Sequence, residues 1–209
     1  MAKPITNEEK LIRTGIVLAK KQGLAFTVRQ LCAKSKVNLG LFHYYFQNKD
    51  NFDKVLLRTV YNQMLDQITL QVSDEATPRE NIEKILLGFH AFVRDNRMFF
   101  SSLLGDCLSG NKKLLQFFTQ NFTRHLSLIS HELKRASLTT RAEGQPLPGM
   151  LALLAWPVVM PQILMGLLER IGTKAFPLQN VLLTQTLEND RQFRARIQIV
   201  LDGIFGEHA

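Results

Sequence analysis

From Asn38 to Lys49 the chain reads N-L-G-L-F-H-Y-Y-F-Q-N-K. His43, Tyr44 and Tyr45 are flat side chains with polar tips, and Lys49 adds an ammonium a few residues on. An imidazole, two phenols and an ammonium can all donate hydrogen bonds, and none of them forms a nucleophile–base pair. Gly40 leaves the backbone bare beside them, so a sugar-phosphate strand can approach it. Leu39 and Leu41 are apolar and suit thymine methyl groups better than hydrogen-bonding edges. Thr27, Arg29, Lys36 and Asn38, just upstream, add further donors and charge. The chemistry this set suits is positional contact with the regularly spaced phosphates of a duplex.

Such donors work only if a scaffold holds them in register. Thr27 can cap a short helix carrying Val28, Leu31 and Cys32 at i, i+3, i+4 spacing. That helix stops near Ser35, and Asn38 caps the next one. Spacing four places Phe42 and Phe46 on the inner face of this second helix, with Val37 inward in the turn. The other residues of the second helix then lie around its remaining surface. A helix precedes the pair: Thr6 and Glu9 make a capping box, Leu11, Gly15 and Leu18 form an apolar face, and Gly23 ends it. The whole is a helix-turn-helix inside a three-helix unit. Asn48 caps a fourth helix, whose ridge Phe52, Leu56, Val60, Met64, Ile68, Val72 runs at spacing four. At about 24 residues it spans roughly 36 Å, enough to link two modules.

Charge is distributed in agreement with this. Residues 1–58 carry eleven Lys/Arg against four Asp/Glu, a balance of +7, whereas residues 59–209 carry fifteen against fourteen, or +1. A polyanion partner for the first quarter alone follows from that asymmetry. Cys32 and Cys107 both lie in apolar helical patterns, which favours reduced thiols and a cytoplasmic location. The start MAKPITNEEK has no apolar run and reads as no signal peptide. The most apolar window, Met150 to Leu168, is interrupted by Pro157, Pro161 and Gln162, and reads as a core or interface helix, with no membrane partner expected.

The run Phe26 to Phe52 resembles the DNA-binding segment of TetR-type transcriptional regulators. Thr27, Val37, Gly40, Phe42, Tyr44, Phe46, Lys49 and Phe52 stand at that family's spacing, and the resemblance covers about residues 6–55. It implies an all-α protein of about nine helices. Residues 1–48 would be the three-helix DNA-binding domain, and residues 49–209 an effector-binding and dimerisation domain with the fourth helix as connector. It also implies a homodimer on a palindromic double-stranded operator, most simply as a ligand-responsive repressor, with no cofactor. Four positions depart from the family. Lys36 stands where the turn usually has glycine and must tolerate an unusual backbone. His43 replaces a tyrosine and would make its phosphate contact pH-sensitive. Leu39 and Leu41 replace polar residues, so the operator sequence does not carry over.

The remaining helices are expected at Thr77-capped 78–96, at 98–108, as one long helix over 111–136, at 149–171 with Pro157 and Pro161 kinking or splitting it, and at 189–206. Half of the fourteen phenylalanines lie within residues 82–122. By resemblance an apolar or aromatic effector would sit here, against Met64, Phe89, Phe92, Phe99, Phe100, Leu103, Cys107, Phe117, Phe118, Phe122, Trp156 and Met160. The competing reading of each is ordinary core packing. Dimer contacts are expected from Leu164, Leu168, Phe193, Ile197, Val200, Leu201 and Ile204. His90, His125 and His131 do not share one face and lack a completing ligand, so no metal site is expected. No triad, phosphate-binding glycine loop or paired carboxylates are visible, so no catalytic residue is assigned. A helical lipid or small-molecule carrier, and a partner-binding protein with a degenerate helix-turn-helix, remain as alternatives.

Overall fold

A computed structural model of the chain describes residues 4–121, 124–136, 142–171 and 189–206. Among them are ten helices and no strand: α1 (Asn7–Gln22), α2 (Val28–Ser35), α3 (Leu39–Phe46), α4 (Lys49–Thr69), α5 (Pro78–Asp95), α6 (Arg97–Leu108), α7 (Lys112–Asn121), α8 (Arg124–Arg135), α9 (Leu147–Ile171) and α10 (Asp190–Phe205).

The helix starts follow from their caps. Thr6, Thr27 and Thr77 each accept from the backbone N–H three residues on, and Glu9, Gln30 and Glu80 return the bond, so three capping boxes form. Asn38, Asn48 and Asn189 cap α3, α4 and α10 through their side chains.

Phe52, in the first turn of α4, is fully buried and occupies the centre of the N-terminal unit. Its ring lies 4.9 Å from Phe46, 5.6 Å from Phe42 and 6.2 Å from Phe26. A Cβ on Gly15 of α1 would come within 2.6 Å of the Phe52 ring, so only glycine lets the two helices approach this closely. Leu56, one turn on, is equally buried. In packing terms the start of α4 therefore lies against the helix-turn-helix unit.

α5 is the centre of the second half and packs against α4, α8, α9 and α10. Arg79 in its first turn donates to Asp202, Gln198 and the Gly206 carbonyl, which ties down the far end of α10. α6 packs on α9 and on α1, so it is shared by both halves. Gly166 of α9 makes room for the Arg97 carbonyl and Ser101, where a Cβ would sit at 2.7 and 2.9 Å.

One boundary changes: α4 ends at Thr69 rather than near Val72. The helix expected over 111–136 is described as α7 and α8, with residues 122–123 outside the described set. α7 lies on α6, and α8 on α5 and α9. Of the two outcomes expected at Pro157 and Pro161, splitting does not occur, and α9 is one helix. The irregular segment expected over 172–186 lies outside the described residues.

Two histidines are buried in the second half. His90 stacks on Phe193 at 3.6 Å, and neither ring nitrogen has a hydrogen-bond partner. His125 lies 3.2 Å from the Tyr61 hydroxyl. Burial pushes both down to about 4, helped at His90 by Arg94. Both are therefore neutral in the folded protein, while the unfolded chain takes up protons below the usual value near 6.5. Stability is full above that value and falls as pH drops toward 4, by up to about 3 kcal/mol per histidine. Urea denaturation at stepwise pH should show this loss, and His90→Phe, which keeps the stack on Phe193, should remove its share of the slope.

Candidate nucleic-acid interface

The turn between α2 and α3 forms without a glycine. Lys36 caps α2 in the left-handed region, φ 56° and ψ 33°, where a side chain costs roughly 1–2 kcal/mol. Val37 then plugs the core, and Asn38 Oδ1 accepts from the Leu41 N–H at 2.8 Å. Phe42 and Phe46 face inward as expected and are almost completely buried. At the other end Gln47 is again at positive φ, 65°, and turns the chain into α4. No other described non-glycine residue has positive φ, so α3 is bracketed by strained residues on both sides.

The outer face of α3 carries the expected donors. Tyr44 is 80% exposed, with Tyr45 half-buried against it at 5.3 Å. His43 Nδ1 is 2.8 Å from the Gln47 carbonyl, and a carbonyl only accepts, so Nδ1 carries the hydrogen and Nε2 faces outward. Leu39 is exposed, whereas Leu41 is half-buried against the core. Gly40 is exposed, and a Cβ there would meet only Asn38 Oδ1, at 3.4 Å. Nothing in this chain requires glycine at that position. Thr27, Arg29, Lys36 and Asn38 are all exposed beside this face.

Lys49 is placed differently from the expectation. Its ammonium lies 2.5 Å from Asp53, donates to the Leu24 carbonyl at 3.2 Å and sits 3.9 Å over the Phe26 ring. The charge expected to hold a phosphate is thus engaged inside the protein, and Lys49 braces α4 against the segment after α1. Burial pushes the Asp53 carboxyl up, against the opposing pull of Lys49. The i, i+4 spacing of Lys49 and Asp53 is visible in the sequence and could have signalled the pair.

No family model matches the sequence, and no curated protein matches it. Solved structures do match over nearly the whole chain. A bacterial regulatory protein in the TetR family from Rhodococcus RHA1 aligns with a TM-score of 0.68 at 12% identity, covering 96% of this chain and 97% of its own. NemR of E. coli in its reduced form gives 0.66 at 17%, covering 97% and 99%. A proposed fatty acid metabolism regulator from Clostridium perfringens gives 0.67 at 20%, covering 93% and 98%. The fold is the TetR-type fold.

In this TetR-type fold the aromatic residues of the second half separate into groups. Met64, Phe92, Phe99, Phe100, Leu103 and Phe117 surround one small cavity, together with Leu57, Val60 and Tyr61. Its volume is about 20 Å³, room for roughly one water. Phe89 is buried beside His125 instead, 5.5 Å away, and Cys107 is half-buried on α6 outside the lining. Trp156 does not line the cavity: it is 66% exposed on α9, because Leu154, Val158 and Gln162 form the inner face of that helix. Met160 is half-buried on the same helix, also outside the lining. The Phe118 side chain and Phe122 lie outside the described set. Among the described residues no group of His, Cys, Asp and Glu is placed to hold a metal ion.

The expected dimer residues also divide. Phe193, Ile197, Leu201 and Ile204 are at most 2% exposed, covered by α5 and α9 of the same chain, so that stripe cannot be a subunit contact. Val200 and Leu168 are half-buried. Leu164 is exposed, together with Leu153 and Trp156 on α9 and Ile199 on α10. By length and composition alone α9 is also long and apolar enough to cross a membrane, and 33% of its apolar window is buried.

Replacing Lys49 with Ala should leave Asp53 partly buried without its partner and lower stability by roughly 1–3 kcal/mol, readable by urea denaturation. An unchanged midpoint, together with a weaker salt dependence of duplex binding, would return Lys49 to the role of a phosphate contact.

Proposed function

We propose that the chain is a DNA-binding transcriptional regulator that acts in the cytoplasm as a homodimer. α3 of each copy would enter the major groove of one half-site of a palindromic operator. The observation that carries this reading is Gly40: its own fold leaves space for a side chain, yet the position is bare at the centre of an exposed, donor-bearing helix face. A phosphate strand lying against that backbone accounts for the missing Cβ. Tyr44, Tyr45, Arg29, Lys36, Thr27 and Asn38 would position the duplex, and His43 would join them through Nε2 only in its doubly protonated form, since Nδ1 holds the hydrogen of the neutral ring. Leu39 would meet a thymine methyl group, with Leu41 behind it. The concentration of positive charge in residues 1–58 supports the same partner.

The homodimer rests on α9 and α10. Leu153, Trp156 and Leu164 on α9 and Ile199 on α10 are large apolar side chains left exposed, as at interaction surfaces. A second copy covers it symmetrically and sets the two α3 helices about one helical turn of DNA apart, roughly 34–36 Å. An apolar or aromatic effector in the second half would shift that spacing, and the simplest form of such control is repression relieved by ligand. It acts only if it binds the two spacings unequally.

Selection of bound sequences from a random duplex pool tests the reading as a whole. A two-fold symmetric consensus is expected, and enrichment of no sequence would overturn it. Gly40→Ala should fold at least as stably as the parent, since alanine favours a helix by up to about 1 kcal/mol. The same change should weaken duplex binding by roughly tenfold or more, about 1.4 kcal/mol. Lys36→Gly should raise stability by about 1 kcal/mol while lowering the salt slope of binding by about one unit.

Leu153→Glu combined with Ile199→Glu should give a folded monomer in sedimentation with much reduced operator affinity. A parent chain already monomeric at micromolar concentration, and floating with lipid vesicles, would assign the α9 surface to a membrane instead.

A further inference from the structure

Two spaces lie end to end along the seam between α4 and α7. The inner one is the aromatic cavity of about 20 Å³, far below the several hundred that small-molecule sites occupy. The outer one is an open cleft of about 540 Å³, within that range. Leu57 and Phe117 line both, so these two side chains are the partition between them. With Leu114 they form the apolar floor of the cleft, and Gln116 and Gln120 stand at its rim on α7.

The charges along the cleft are not equivalent. Asp53 is held by Lys49, and Asp50 is not free either. Lys54 and Arg58, four apart on the exposed side of α4, make no ion pair among the described residues. An apolar floor therefore faces two cations that make no ion pair among the described residues, and a pair of side-chain amides. Neutral solutes gain nothing from the cations, and small hydrophilic anions gain nothing from the floor.

We propose that this cleft is the binding site for a small amphipathic anion. Its apolar body would lie on Leu57, Leu114 and Phe117, and its carboxylate, sulfonate or phosphate would meet Lys54 and Arg58. This deepens the effector reading above and rests on it for any regulatory consequence. Leu24 and Asp53 also line the cleft, so an occupant touches the two groups that Lys49 braces. Rotation of Phe117 would open the inner cavity to a longer apolar tail. An aryl body fits the cleft alone, whereas an acyl chain uses both spaces.

Fluorescence titration of the full chain with 8-anilino-1-naphthalenesulfonate, without DNA, tests the site. Saturable binding that weakens with salt is expected, with Lys54→Gln plus Arg58→Gln reducing affinity roughly tenfold. Gln120→Trp, which fills the cleft from its rim, should abolish binding. The uncharged N-phenyl-1-naphthylamine should bind more weakly and ignore the charge changes. Competition by 1-naphthoate against decanoate separates an aryl from an acyl ligand. Dye affinity that survives both the double charge change and Gln120→Trp, or that is lost on Leu153→Glu alone, overturns the proposal. Adding labelled operator to the same titration keeps the two readings apart. Dye seated in the cleft without any change in operator affinity overturns the effector reading and leaves the site standing.

Discussion

The burial of Phe52 is the contact on which the architecture turns. It enters from the first turn of α4, yet its neighbours are Gly15 of α1, Phe26 just before α2, and Phe42 and Phe46 of α3. A buried aromatic ring of this kind contributes roughly 2–3 kcal/mol by area alone, and truncating it would cost about 3–5. Because the ring is rigid and its pocket is closed on all sides, α3 cannot tilt independently of α4. The long helix that runs into the second half is therefore mechanically part of the unit whose exposed face carries the donors.

That constraint explains the placement of Lys49. With Phe52 fixed, the first turn of α4 lies against the segment after α1, and the ammonium at its start finds the Leu24 carbonyl, Asp53 and the Phe26 ring within reach. Leu24 is bonded on its other side as well: its N–H points at Asp106 of α6, 3.5 Å away. One peptide residue thus sits between an acid on α6 and a cation on α4. α6 in turn packs on α9, and Gly166 marks how closely. A contiguous set of polar contacts and packed helices connects the α9 surface to the donor face, with no element in it that is merely a linker.

Local chemistry made much of the N-terminal half legible in the sequence. Caps at Thr6, Thr27, Asn38, Asn48 and Thr77, and the spacing of Phe42 and Phe46, depend on neighbours within four residues. The motif at residues 26–52 pointed to the TetR-type fold, although the solved structures that share it retain only 12–20% identity. What was not legible depended on partners distant in sequence. α10 shows two apolar faces, and only the packing of α5 and α9 decides that Phe193, Ile197, Leu201 and Ile204 turn inward while Ile199 stays outside. Trp156 looked like pocket lining because an isolated aromatic carries no mark of its direction. Lys49 looked like a free cation because Asp53 was read only as charge balance.

The same distinction bears on how a signal could cross the molecule. A cavity of one-water size admits no small molecule until the surrounding side chains move, and most of those side chains are buried. The open cleft needs no such rearrangement, and its wall includes Asp53 and Leu24. Binding there would change the surroundings of a carboxyl that burial pushes up against the opposing pull of Lys49. On the proposal above, an occupant that strengthened or competed with the Lys49–Asp53 pair would act on the first turn of α4, and the buried Phe52 ring packs that turn against α3. Coupling of this kind would run through residues that the cleft and the Lys49 brace share, and its size is set by how differently the occupant binds the two arrangements.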